Sequence, residues 1–179
     1  ILALCLALAA ASNKHNSYLG DHSNSVGNLA GRIAKEMGYS DFEAIGIMLG
    51  GYIHDIGKIA IPTSIILKPN KLSHEEYELI KTHTTMGWAF LQGSDSQIPY
   101  WNLSEYAHHH HERLDGSGYP DKLSGNQIPI GVQIVAVSDV YHAATSHRPY
   151  NIDKHETLEN LFESESFNCK AVEIIKKLV

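Results

Sequence analysis

The sequence predicts an all-α domain of about seven or eight helices, and three observations carry that expectation. Apolar residues recur at the 3.6-residue period of a helix through most of the chain. Two Ser-x-x-Glu capping boxes, "SDFE" at 40–43 and "SHEE" at 73–76, mark helix starts. "IVAV", which could be a strand, continues into "SDVYHAAT", and that continuation favours helix.

The elements follow in order. Residues 1–11 are apolar, but too short to cross a bilayer and without a basic leader, so they read as a core helix. Asp21 or Ser23 can cap the next helix, whose apolar positions Val26, Leu29, Ala30, Ile33 and Met37 keep the helical period; Gly38 ends it. The first box opens a helix to about Asp55. The second opens one running through "YELIKTHTTMGWAFLQ". Asn102 can cap a shorter helix toward the histidines at 108–111. "LDGSGYPDKLSGNQIP", at 114–129, is a loop rich in glycine and proline. Pro129 suits the start of the helix "IGVQIVAVSDVYHAAT", and Asp153 and Asn168 can cap two final helices. There is no repeated unit, heptad array or low-complexity tract.

The 179 residues fit one domain with a sizeable core, residues 1–179. The chain begins at Ile1, so the expectation is a fragment of a longer protein with an upstream sensor or regulatory module. A net charge of −6 argues against a nucleic-acid polymer as partner, while leaving room for a small anionic ligand. Only Cys5 and Cys169 are present; such sparse cysteine suits a reducing, cytoplasmic compartment, with no membrane contact expected of this stretch. The unusual count is histidine, at 12, and most of these cluster with carboxylates.

His22 falls four residues before Val26 and so projects from the apolar stripe of its helix. Taken alone, His22 and His83 read as satisfied core histidines more often than as ligands. "YIHDIGKIAIP" sets His54 and Asp55 in an otherwise apolar run, and a carboxylate buried without a partner costs several kcal/mol. Asp55 either caps a helix end, pairs with Lys58, or binds metal. Lys58 faces the same site if the helical turn continues. Asp139 interrupts a helix that must be largely buried, with no Lys or Arg within eight residues on either side. A metal would supply the missing charge. The run "HHHH" at 108–111 is internal and leads into a specific Gly-rich turn, unlike an expression tag. Histidines plus carboxylates, with no paired thiolates, fit iron, manganese, nickel or zinc in a catalytic site.

The ordered set His22, His54–Asp55, His83, His110–His111 and Asp139, with "HDIGK" and "DGSGYP", resembles the HD-GYP domains of the HD phosphohydrolase superfamily. The resemblance covers residues 18–150. It implies an HD-domain helical bundle and a phosphodiesterase that linearises a cyclic dinucleotide, chiefly cyclic di-GMP, with possible further cutting to mononucleotides. Alternatives are a 3′,3′-cyclic GMP-AMP phosphodiesterase, or a catalytically weak module that binds the dinucleotide or a partner. It also implies two divalent ions, iron first, then manganese, with zinc or nickel tolerated. His22, His54, Asp55 and Asp139 would hold one ion; Asp55, His83, His110 and His111 would hold the other, with Asp55 bridging. Lys58 would stabilise charge on the attacked phosphate, and Arg148 would contact the substrate. Asp115, Tyr119 and their neighbours at 116–120 would shape the pocket rim. A diguanylate cyclase (GGDEF) partner belongs to the same expectation. Three positions depart from the pattern. Tyr18 stands where some members place a third-metal Glu, and Asn151 replaces a frequent basic residue. His142 replaces a second Asp and is expected near the nucleotide.

Overall fold

The computed structural model describes residues 17–95, 101–146 and 154–178, and these contain helices and turns with no strand. The all-α expectation is met. In order they form α1 (Ser17–Glu36), α2 (Asp41–Ile53), a 3-10 turn (Ile56–Ala60), the single turn α3 (Thr63–Ile66), α4 (His74–Lys81) and α5 (His83–Asp95). Next come α6 (Leu103–His109), a second 3-10 turn (Gly125–Gln127), α7 (Ile130–Thr145), α8 (Lys154–Glu163) and α9 (Cys169–Leu178).

The capping chemistry read from the sequence largely holds. Ser40 and Glu43 form a reciprocal box at the start of α2, and Ser73 and Glu76 do the same for α4. Asn168 accepts the Ala171 amide at 3.0 Å and opens α9. Asn102 precedes α6 as expected, but its side chain makes no cap bond. Residues 1–11 and Asp153 lie outside the described residues.

Two expectations fail, each for a physical reason. α1 already runs from Ser17, so Asp21 and Ser23 are inside a helix, not at its cap. His22 and Ser23 are buried there, and tertiary packing overrides the local preference for a cap. The helix expected through "YELIKTHTTMGWAFLQ" breaks at Thr82 into α4 and α5. The hydroxyls of Thr82, Thr84 and Thr85 each bond back to a carbonyl three residues earlier, at 2.7, 2.9 and 2.9 Å, competing with the helical ladder.

The core has two parts. Val26, Ala30 and Ile33 of α1 pack with Ile134, Val135 and Val137 of α7 and with Leu161 and Ile175 of α8 and α9. Leu49 and Ile53 of α2 pack with Ile56, Leu91 of α5, and Leu103 and Ala107 of α6. Tyr106 packs against both parts. Truncating a fully enclosed side chain such as Ile53 costs about 2–5 kcal/mol. α1 and α7 come from the first part, α5 and α6 from the second, and α2 contributes to both. Side chains from all five converge on the site.

Candidate metal centre

Three helices supply the first group. His22 from α1, His54 at the end of α2 and Asp139 from α7 are all buried, with donor atoms within 4.8 Å of one another. His22 Nε2 lies 3.0 Å from Asp139 Oδ1, and His54 Nε2 lies 3.9 Å from the same oxygen. The second group is Asp55, His83, His110 and His111, drawn from the breaks between helices. Asp55 follows α2, His83 opens α5, and His110 and His111 follow α6.

Asp55 faces both groups with different oxygens. Its Oδ2 lies 3.3 Å from His54 Nε2, while its Oδ1 lies 3.4 Å from His83 Nε2 and 3.7 Å from His110 Nε2. Lys58, in the 3-10 turn, reaches Asp55 Oδ2 at 2.6 Å. The turn after α2 therefore continues far enough to put Lys58 on the site, as its i+3 spacing requires.

The histidine tautomers test whether a cation fits. His54 Nδ1 donates to the Gly51 carbonyl at 2.7 Å, and His83 Nδ1 donates to Ile80 at 2.7 Å. His110 Nδ1 bonds the Tyr106 and Ala107 carbonyls at 3.0 and 3.1 Å. A carbonyl only accepts, so each Nδ1 carries a proton, and in the neutral rings of His83 and His110 the Nε2 presents a lone pair. His83 Nε2 and His110 Nε2 are nonetheless 3.2 Å apart, two acceptors with nothing to share. His54 Nε2 and Asp55 Oδ1 are buried without any hydrogen-bond partner. A cation among these atoms satisfies all of them, and the donor set suits a divalent transition metal.

Electrostatics prepares the same donors. Burial depresses His110 and His111 well below the usual imidazole range, neighbouring histidines push them further, and burial takes His83 to about 4. These rings stay neutral near pH 7 and keep their lone pairs. Burial also acts on His54, but Asp55 and Asp139 outweigh it and raise its pKa. Burial alone would raise both carboxyls. Instead the Lys58 ammonium and His54 hold Asp55 well below the usual carboxylate range, and the hydrogen bond from His22, with His54 behind it, does so for Asp139.

Two glycines of the quoted motifs permit this assembly by close approach. A Cβ on Gly57 would sit 1.9 Å from the His83 carbonyl, so only glycine lets the 3-10 turn lie against the start of α5 and bring Asp55 to His83. A Cβ on Gly118 would sit 2.4 Å from Glu112 Cα, where the glycine-rich loop presses onto the chain after His111. Tyr119, in that loop, stacks on His111 with ring centroids 4.7 Å apart. Asp115 is exposed, and its oxygens are engaged by the Ser117 amide at 2.8 Å and by the Ser166 hydroxyl. Its carboxylate braces the loop. Arg148 and Asn151 lie outside the described residues.

The sequence reading missed one buried carboxylate. Glu112, 2% exposed, accepts from the Asp121 and Leu123 amides at 2.7 and 3.1 Å and latches the loop. A carboxylate directly after two candidate ligands was the available signal. His142, singled out in the sequence because it stands in place of a second Asp, lies with its Nδ1 2.8 Å from His22 Nδ1. It orients a candidate ligand, a role usual for the outer partner of a metal-binding histidine.

With this geometry established, comparison with known proteins places the chain. The sequence profile of the HD domain matches residues 7–162. The chain belongs to the HD domain family. This HD domain is 48% identical to a cyclic di-GMP phosphodiesterase of Thermotoga maritima, over 83% of this chain and 40% of that protein. It is 35% identical to the 3′3′-cGAMP-specific phosphodiesterase 1 of Vibrio cholerae, over 94% of this chain and 41% of that protein. The chain thus spans about two fifths of the length of these curated relatives. A solved HDG"Y"P protein from Bdellovibrio bacteriovorus matches with a TM-score of 0.71 at 18% identity, over 88% of this chain and 51% of that one, which establishes the shared fold. No helix among the described residues is long and apolar enough to cross a membrane.

Proposed function

We propose that this HD domain is a metal-dependent phosphodiesterase that hydrolyses a cyclic dinucleotide, with cyclic di-GMP the leading substrate. The observation that carries the reading is Asp55, whose two oxygens face two separate histidine groups. In this reading His22, His54, Asp55 and Asp139 hold one divalent ion, and Asp55, His83, His110 and His111 hold the other. Iron is the first choice and manganese the second. When bound, such a pair supplies Lewis-acid polarisation of the phosphate and lowers the pKa of water.

The chain's own groups do the rest. Asp55 holds the two ion positions together, and its ionised state is maintained by Lys58. Lys58 Nζ is compact and partly exposed at the site, so it can turn from Asp55 to charge developing on the attacked phosphate. His142 and the backbone carbonyls of Gly51, Ile80 and Tyr106 fix the rings. Tyr119, stacked on His111, narrows the rim, with Lys81 Nζ 5.3 Å from its ring centre. Arg148 is the chain's candidate for the second phosphate of a cyclic dinucleotide. A charge-assisted contact of that kind is worth about 1.5–3 kcal/mol, or roughly 10–150-fold.

The named relatives support both cyclic di-GMP and 3′,3′-cyclic GMP-AMP as substrates to test. A diguanylate cyclase partner rests on the sequence resemblance alone, and a cytoplasmic location on the sparse cysteines of the sequence. The test is anaerobic turnover by the iron- or manganese-loaded chain on each dinucleotide. Formation of a linear dinucleotide supports the reading. Binding without turnover of either, at full metal content, would replace it with a non-catalytic dinucleotide-binding module.

A further inference from the structure

Half of the four-histidine run is not used by the central site. His110 and His111 face Asp55 and His83, whereas His108 and His109 lie against Asp121, on the loop that follows Tyr119. His109 Nε2 is 2.9 Å and His108 Nε2 is 3.9 Å from one and the same oxygen, Asp121 Oδ2. One turn back on α6, Glu105 Oε2 takes His109 Nδ1 at 2.8 Å. The His108 ring stacks on Trp88, at 5.4 Å, and on His109, at 4.3 Å.

We propose that His108, His109 and Asp121 form a separate peripheral site for one divalent cation of the zinc, cobalt or nickel class. Two imidazole nitrogens and a carboxylate oxygen are the donors such ions prefer. With metal–ligand bonds of about 2.0–2.1 Å, tetrahedral ligands sit roughly 3.3–3.4 Å apart. The observed separations of 2.9 and 3.9 Å bracket that value, so small rotations of two side chains complete the site. Glu105 supplies the outer carboxylate that commonly orients a ligating histidine and directs its other nitrogen to the metal. The Asp121 side chain is 51% exposed, which leaves an entry path and a fourth position for water. An ion here ties the end of α6 to the loop, two residues from the tyrosine that stacks on His111. The rival structure is a metal-free strap, with the two ring nitrogens of His109 hydrogen-bonded to Glu105 and Asp121.

The experiment is uptake of cobalt(II) by the whole chain, by equilibrium dialysis with visible absorption, for the parent, His108→Ala and Asp121→Asn. The two variants spare His109, which is nearly enclosed. The parent is expected to bind one equivalent more than either variant, and the intense d–d bands of that equivalent should vanish in both. The difference is independent of how many ions the central site holds, so failure of the two-ion reading cannot mimic it. Equal uptake by the parent and either variant overturns the proposal and leaves the strap.

Discussion

The two histidine groups around Asp55 are built in different ways. In the first, His22 and Asp139 project from the interiors of α1 and α7, and only His54 stands at a helix end. Their positions are fixed by helices whose other faces form the core, with Val26 and Ile33 on one and Val135 and Val137 on the other. In the second group every member sits where a helix stops, breaks or starts: Asp55, His83, His110 and His111. That group depends on close packing between chain breaks, through Gly57 against α5 and Gly118 against the chain after His111. The first group is a product of helix packing. The second is a product of turns, and it should be the more fragile of the two.

Asp55→Ala attacks what the two groups share and has the largest expected effect. It removes the carboxylate that faces both, so metal content should fall at both positions and turnover should become undetectable. Metal analysis beside an activity assay checks this; retention of both ions would mean that the groups are independent.

Lys58→Ala should leave both groups loaded and reduce kcat by about 10²–10³-fold, the loss typical of one preorganised donor to a developing charge. Parent-like turnover in a fully loaded variant would reduce Lys58 to an ion-pair partner of Asp55.

Gly57→Ala separates the groups. The added Cβ meets the His83 carbonyl, so the 3-10 turn must move away from α5, at a cost of about 1–3 kcal/mol for overpacking. Metal loss should be confined to the second group, with His22, His54 and Asp139 still assembled. Equal loss from both, seen by metal-edge spectroscopy, would contradict the difference in construction.

This contrast also explains what could be read from the sequence. His22 and Asp139 are legible because a polar residue on the apolar face of a regular helix breaks an obvious pattern. Spacing put His22 on its apolar stripe, and the lack of a nearby cation singled out Asp139, while their roles as ligands came from the resemblance. The helix break at Thr82 was not legible, because three threonine hydroxyls redirect carbonyls inside a segment whose period continues unbroken. In the second group Asp55 and the histidine run stood out by composition, but their assembly with His83 was legible only as motif resemblance, since no periodicity describes a histidine at a helix end. Glu112 escaped because its role depends on contacts 9 to 11 residues away, and the contact of His142 with His22 because the two lie 120 residues apart.

The smallest effect is expected at the far end of the helix that carries His54. Ser40→Ala removes the cap of α2 and should cost about 1 kcal/mol in denaturant unfolding, with metal content unchanged in both groups. A change in metal content would show that the two ends of α2 are coupled more tightly than its packing suggests.

The most direct test of the shared carboxylate is anomalous scattering from crystals of the metal-loaded chain, measured at the edge of the bound element. Two ions at the buried centre are expected, one against each oxygen of Asp55, with His22, His54 and Asp139 on one side and His83, His110 and His111 on the other. A single ion, a pair that leaves Asp55 uncoordinated, or three fully occupied ions at that centre would contradict the account.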